Sequence, residues 1–130
     1  LDVEQAVVEG GGERVLVVED EPGARDGLRD ILTFLGYRVE TAPSGEDALS
    51  LPVEPGFEVL LTDVMLPGTS GLEVARQLGA RWPDLKVILM SGYAADETLR
   101  RGVTAGHLRF LQKPFDMATL PREIRAALEG

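Results

Sequence analysis

The sequence predicts an α/β fold in which a parallel sheet is covered by helices on both faces. Two observations carry this. Short uninterrupted apolar runs, Val15-Leu16-Val17-Val18, Val59-Leu60-Leu61 and Val87-Ile88-Leu89-Met90, read as strands buried on both faces, because a strand with one wet face would alternate apolar and polar residues. Between them lie segments whose apolar residues recur at three- and four-residue steps, the spacing that lines up side chains on one face of a helix. Strand and helix alternate five times across 130 residues, within the usual size of one domain.

The elements follow in order. Residues 1–13 contain Gly10-Gly11-Gly12 and little periodicity, which predicts a flexible linker, with the domain running from 14 to 128 and a tail at 129–130. After the first strand, Ala24, Leu28, Ile31, Leu32 and Leu35 mark a helix that Gly36 stops. A weaker strand is expected at Tyr37 to Thr41. Ser44, with Asp47 three residues on, gives a helix-start signal for a short helix to about Leu51, although the reciprocal capping box prefers glutamate or glutamine there. Leu72, Ala75 and Leu78 mark a third helix ending before Pro83, and Ala94 to Gly102 carries the weakest helical pattern. Leu108 to Gln112 reads as the last strand, and Leu120, Ile124, Ala127 and Leu128 as the last helix.

Composition narrows the chemistry. The chain is 44% hydrophobic, enough for a sizeable core, yet its apolar runs are far shorter than the roughly 20 residues of a membrane span. It has no cysteine and one histidine, His107, which removes disulfides, thiolate sites and multi-histidine sites, so any metal must be held by oxygen. A formal charge of -9 argues against direct nucleic-acid binding, whose affinity comes mostly from lysine and arginine neutralising phosphates. The chain begins with Leu1 and shows no signal-peptide pattern, as expected for an excised piece of a longer protein, so the expected cytoplasmic location is argued from chemistry and not from targeting.

In a parallel sheet every strand's carboxyl end lies on one edge, where ligands bind. Strand one is followed by Glu19-Asp20-Glu21, strand three runs into Thr62-Asp63, strand four into Ser91-Gly92, and strand five into Lys113-Pro114. Neighbouring strands lie about 4.8 Å apart, so three carboxylates, a hydroxyl and a lysine converge if those strands are adjacent. Taken singly, each has an ordinary explanation: acids cap helices, lysines lay their stems on apolar surface, serine before glycine makes turns. As a set they do not. Glu19, Asp20 and Asp63 packed together repel unless a cation neutralises them, and a hard divalent ion, Mg2+ or Mn2+, suits oxygen ligands.

These residues resemble the response-regulator receiver domains. The resemblance rests on Val15-Leu16-Val17-Val18-Glu19-Asp20-Glu21, Leu61-Thr62-Asp63-Val64-Met65-Leu66-Pro67-Gly68, Met90-Ser91-Gly92 and Phe110-Leu111-Gln112-Lys113-Pro114-Phe115, and it spans roughly Arg14 to Leu128. It implies a flavodoxin-like three-layer fold with a five-stranded sheet of order 2-1-3-4-5. It also implies Asp63 as phosphoacceptor, Glu19 and Asp20 as the acidic pair, and the backbone carbonyl of Met65 as a further metal ligand. Lys113 would contact the phosphoryl group, with Ser91 and Phe110 at the switch positions and a cis peptide before Pro114. Glu19, Ser91 and Phe110 stand where aspartate, threonine and tyrosine are frequent in the family.

The chemistry implied is attack of the Asp63 carboxylate on a phosphoryl group delivered by a histidine kinase or histidine phosphotransfer domain, with cations neutralising the equatorial oxygens. The new phosphoryl acceptor would draw in the Ser91 hydroxyl, let Phe110 turn inward, and move the helix from Ala94. Slow loss of phosphate is expected if Met65 and Tyr93 flank the attacking water's path, so the piece is a phosphoacceptor with at most autophosphatase activity. The glycine-containing leader suits the receiver of a hybrid sensor histidine kinase, with a standalone regulator second.

Three other readings fit less well. A haloacid dehalogenase-type phosphatase wants a second aspartate two residues after its nucleophile, where Met65 stands. A flavin or dinucleotide binder wants a glycine-rich turn after the first strand, where Glu19-Asp20-Glu21-Pro22 repels phosphate. A receiver-like scaffold that is never phosphorylated would not be expected to keep Glu19, Asp20, Asp63, Ser91 and Lys113 together.

Overall fold

The computed structural model describes residues 11–92, 108–116 and 118–129. The strands are β1 (Arg14–Val18), β2 (Arg38–Ala42), β3 (Val59–Asp63), β4 (Lys86–Ser91) and β5 (Leu108–Gln112). The helices are α1 (Pro22–Phe34), α2 (Gly45–Leu49), α3 (Gly71–Arg81) and α4 (Thr119–Glu129). All strand pairs are parallel, in the order β2-β1-β3-β4-β5. The expected helix at Ala94 to Gly102 lies outside the described residues.

Side-chain alternation along each strand divides the core in two. Val15 and Val17 of β1, Val59 and Leu61 of β3, and Ile88 and Met90 of β4 pack with Leu28 and Leu32 of α1 and Leu120 and Ile124 of α4. Leu16, Val18, Leu60, Val87 and Leu89 point the other way, onto Ala48 of α2 and Val74, Ala75 and Leu78 of α3. β3 is buried along its whole length, as its unbroken apolar sequence requires.

Local chemistry sets the helix ends. Pro22 opens α1 and the Glu21 side chain caps it, accepting from the Ala24 amide at 2.7 Å. Gly36, at φ 101°, turns the chain out of the helix, and the Tyr37 amide bonds to Leu32 O at 3.1 Å. That bond uses Tyr37 in the turn, so β2 begins at Arg38 rather than Tyr37. Ser44 does cap α2 through the Asp47 amide, at 3.1 Å. The helix stops at Leu49, short of the expected Leu51: Leu51 precedes Pro52, which disfavours helical backbone, and Arg81 binds the carbonyls of Leu49 and Leu51, each at 3.1 Å. At the amino end, contacts with the fold begin just before β1. Gly12 N donates to Gly36 O at 3.0 Å, Arg38 N to Glu13 O at 2.9 Å, and the Glu13 carboxylate pairs with Arg125 of α4 at 3.3 Å. Glu129 closes α4.

Candidate functional site

β1 and β3 are neighbours in the sheet, with Val18 in register with Thr62, so the residues that follow them emerge side by side at the carboxyl edge. Glu19 extends the ladder by one bond, its amide donating to Ala42 O at 3.1 Å, and its side chain turns inward to 2% exposure. Asp63 is the last residue of β3 and is buried, while Asp20 beside them is exposed. One oxygen from each of Glu19, Asp20 and Asp63 lies within 4.8 Å of the others. Lys113, following β5, spans the gap: its Nζ stands 2.7 Å from Asp63 Oδ1 and 3.3 Å from Glu19 Oε1. The Lys113–Pro114 peptide is cis. The third acid of the Glu19-Asp20-Glu21 run plays a different part, since Glu21 caps α1.

Burial and charge pull on this cluster in opposite senses. The Asp63 carboxyl is pushed up to about 7, first by burial and then by Glu19 beside it, which together outweigh Lys113. Burial also acts to raise Glu19, but hydrogen bonding with Asp63, the Glu21 amide and Lys113 holds it below the usual carboxylate range. Lys113 is raised: burial works against its charge, and the two carboxylates prevail. Two carboxylates facing one ammonium leave an excess negative charge, which is why Asp63 holds a proton to higher pH than an ordinary aspartate. A divalent cation relieves it better, so the oxygen donors present fit Mg2+.

The remaining expected residues stand around this cluster. Ser91 ends β4, buried, and its carbonyl accepts the Lys113 amide at 2.7 Å. Phe110, paired with Leu89 across β4 and β5, is partly buried against the core layer shared with α2 and α3. Met65 leaves β3 two residues after Asp63, its side chain 67% exposed. Tyr93 lies outside the described residues. An open depression of about 600 Å³ adjoins the site, its apolar walls made by Gly23, Ala24, Gly27 and Leu28 of α1 with Pro114 and Phe115, and Glu19 and Lys113 at its polar end.

Several residues that hold the site were invisible to motif reading. Arg25 of α1 donates to the carbonyls of Glu19 at 3.0 Å and Asp20 at 3.4 Å, tying down the acidic loop. Thr62 Oγ1 donates to Asp63 O at 3.0 Å. Gly71 opens α3 directly against the phosphoacceptor candidate, where a Cβ would lie 1.8 Å from Asp63 O. An arginine six residues beyond Glu19, or a glycine after a serine, carries no sequence signal of such contacts.

The fold and sequence are similar to those of proteins of known kind. The family model for the response regulator receiver domain matches residues 15–125. The chain belongs to this receiver-domain family. It is 37% identical over 115 residues to "Response regulator MprA" of Mycolicibacterium vanbaalenii, covering 88% of this chain and 50% of that protein, and equally to MprA of Mycobacterium avium. The receiver chain thus spans about half the length of these curated relatives. Among solved structures, the response regulator TrrA of Thermotoga maritima in complex with Mg2+ and BeF superposes with TM-score 0.77 at 32% identity, covering 89% of this chain and 99% of that one. A CheY-like receiver domain from Methanospirillum hungatei gives 0.82 at 29% identity, over 92% and 95% of the two chains. Receiver domains serve two-component phosphorelay signalling and bind Mg2+ at an acidic pocket, and this chain has such a cluster. Among the described residues no helix is long and apolar enough to cross a membrane.

Proposed function

We propose that Asp63 is the phosphoacceptor of this receiver and that residues 14–128 form the functional unit. The observation that carries the reading is the contact of Lys113 Nζ with Asp63 Oδ1 at 2.7 Å inside an acidic cluster. In the step proposed, a carboxylate oxygen of Asp63 attacks phosphorus, a new P–O bond forms, and the P–N bond to the donor imidazole breaks with its electron pair returning to the ring nitrogen. Lys113 steadies the charge on the equatorial oxygens from one side. Glu19, Asp20, Asp63 and the Met65 backbone carbonyl would hold the metal, Mg2+ or Mn2+, which would supply charge neutralisation when bound. Neutralising the carboxylate cluster also keeps Asp63 ionised and so able to act as nucleophile.

The donor is a phosphohistidine on a histidine kinase or histidine phosphotransfer domain. The small residues Gly23, Ala24 and Gly27 leave an apolar depression leading to Lys113, which suits a helix carrying that histidine. Ser91 and Phe110 are proposed as the switch pair: the buried hydroxyl moves toward the phosphoryl oxygens and the half-buried ring follows. The cytoplasm is the proposed compartment, and the receiver of a hybrid sensor kinase the proposed origin.

Incubation with acetyl phosphate and Mg2+, read by intact mass, tests the reading. Wild type should gain one phosphoryl group and Asp63→Asn none. Equal labelling of both would overturn the assignment of Asp63.

A further inference from the structure

The loop between β3 and α3 carries Met65, and it is anchored at both ends by backbone bonds: Val64 N to Met90 O at 2.9 Å and Gly71 N to Val64 O at 3.0 Å. Its tip is held from another element. The Glu46 carboxylate, in the first turn of α2, accepts both the Thr69 amide at 3.0 Å and the Thr69 hydroxyl at 2.9 Å through Oε2. Among the described residues, Glu46 is the hydrogen-bond partner of the stretch from Met65 to Thr69.

Steric fit reinforces the bond. Gly68 turns at φ 75°, and a Cβ there would lie 2.5 Å from Glu46 Oε2, so the loop packs its one permissive residue under the carboxylate. Gly45, next to Glu46, touches the loop as well, because a Cβ there would fall 2.8 Å from Thr69 O and 2.8 Å from Val74 Cγ2. The first turn of α2 and the tip of the loop therefore mate closely, although 23 residues separate Glu46 from Thr69. Leu66 packs against the core between the exposed Met65 and Pro67, and the tip of the loop beyond it is held by Glu46.

We infer that Glu46 is a positioning residue for the receiver site, holding the β3–α3 loop so that the Met65 carbonyl is aimed at the metal. The inference rests on the metal-ligand set proposed above and assigns a role to a residue that makes no contact with Asp63. A partner outside the ligand set that orients a ligand typically changes metal affinity at least tenfold when removed. Glu46 is exposed, so its removal leaves the core intact.

Calorimetric titration of metal-free protein with Mg2+ tests this, alongside acetyl phosphate labelling rates over a range of Mg2+ concentrations. Glu46→Ala should bind Mg2+ about tenfold more weakly. Its labelling rate should fall at low Mg2+ and recover at saturating Mg2+, a split that a damaged fold would not produce. Asp47→Ala, which removes the same charge from the same turn, should bind as wild type, and Thr69→Ser, which keeps both donors, should do so too. Wild-type Mg2+ affinity in Glu46→Ala, or equal weakening in Asp47→Ala, would overturn the role of Glu46. Absence of labelling in wild type would instead overturn the phosphoacceptor reading, and the calorimetric comparison would still decide the role of Glu46.

Discussion

Lys113 Nζ lies 2.7 Å from Asp63 Oδ1 and 3.3 Å from Glu19 Oε1, so one ammonium from the end of β5 bridges carboxylates from the ends of β1 and β3. The bridge is incomplete as charge balance: Asp63 remains raised to about 7 despite it, because burial and Glu19 act together. A site with this residual charge is prepared to take a cation, and its proton, metal and phosphoryl equilibria are coupled.

Metal binding should therefore depend on pH. On the proposed ligand set Mg2+ needs Asp63 ionised, and burial and Glu19 push that carboxyl up to about 7. Below that value binding must displace a proton, so the affinity should fall roughly tenfold between pH 8 and pH 6. Calorimetry in two buffers of different ionisation enthalpy should count close to one proton released at pH 6 and almost none at pH 8.

Stability of the metal-free protein should follow the same group in the opposite sense to an ordinary salt-bridged acid. The folded-state value of Asp63 lies above its ordinary value of 3.8, so stability is greatest below 3.8 and is lost as pH rises through about 7. Asp63→Asn should thus be more stable than wild type at pH 8, on the order of 2 kcal/mol once partial solvent access is allowed for. The advantage should shrink toward pH 4, and excess Mg2+ should narrow it by binding wild type preferentially. Urea melts at the two pH values, with and without Mg2+, give the comparison.

Lys113→Met should separate transfer from metal binding. On the role proposed for Lys113, losing the ammonium should slow labelling by acetyl phosphate by roughly a hundredfold. It also removes a competitor for the carboxylates, so Mg2+ affinity should hold or rise. A parallel loss of both in stopped labelling and calorimetry would contradict the separate roles.

Gly71→Ala should destabilise the fold by about 3 kcal/mol or more, since its Cβ would press on the backbone oxygen of Asp63 at 1.8 Å. Gly79→Ala is the counterpart: it sits in the same helix, α3, with nothing within 4 Å of an added Cβ, and should stabilise by about 0.5 to 1 kcal/mol. Chemical denaturation of the pair measures the difference directly.

Much of this protein was legible in its residues. Apolar runs without alternation identify β1, β3 and β4 as doubly buried, and helical spacing identifies α1, α3 and α4, because burial of a strand or helix face constrains residue type at fixed intervals. The acids after β1 and β3 and the lysine after β5 were readable as candidates for the same reason, since a parallel sheet brings every carboxyl end to one edge. Weaker elements were placed less closely. β2 is an edge strand of five residues with two exposed, and α2 has five residues, so periodicity had little length over which to act.

What the residue string determined by itself is the α/β class, the chemical inventory and the edge on which it gathers. Only tertiary structure decided which acid does what: Glu21 turns away to cap α1, Glu19 buries itself against Lys113, and Glu46 reaches across to Thr69. Periodicity reports which face of an element is apolar, whereas the partner of a polar side chain depends on backbone placed by distant segments. For that reason the Lys113 to Asp63 contact, the Gly71 approach and the Glu46 anchor emerge only when the sheet and its loops are assembled in three dimensions.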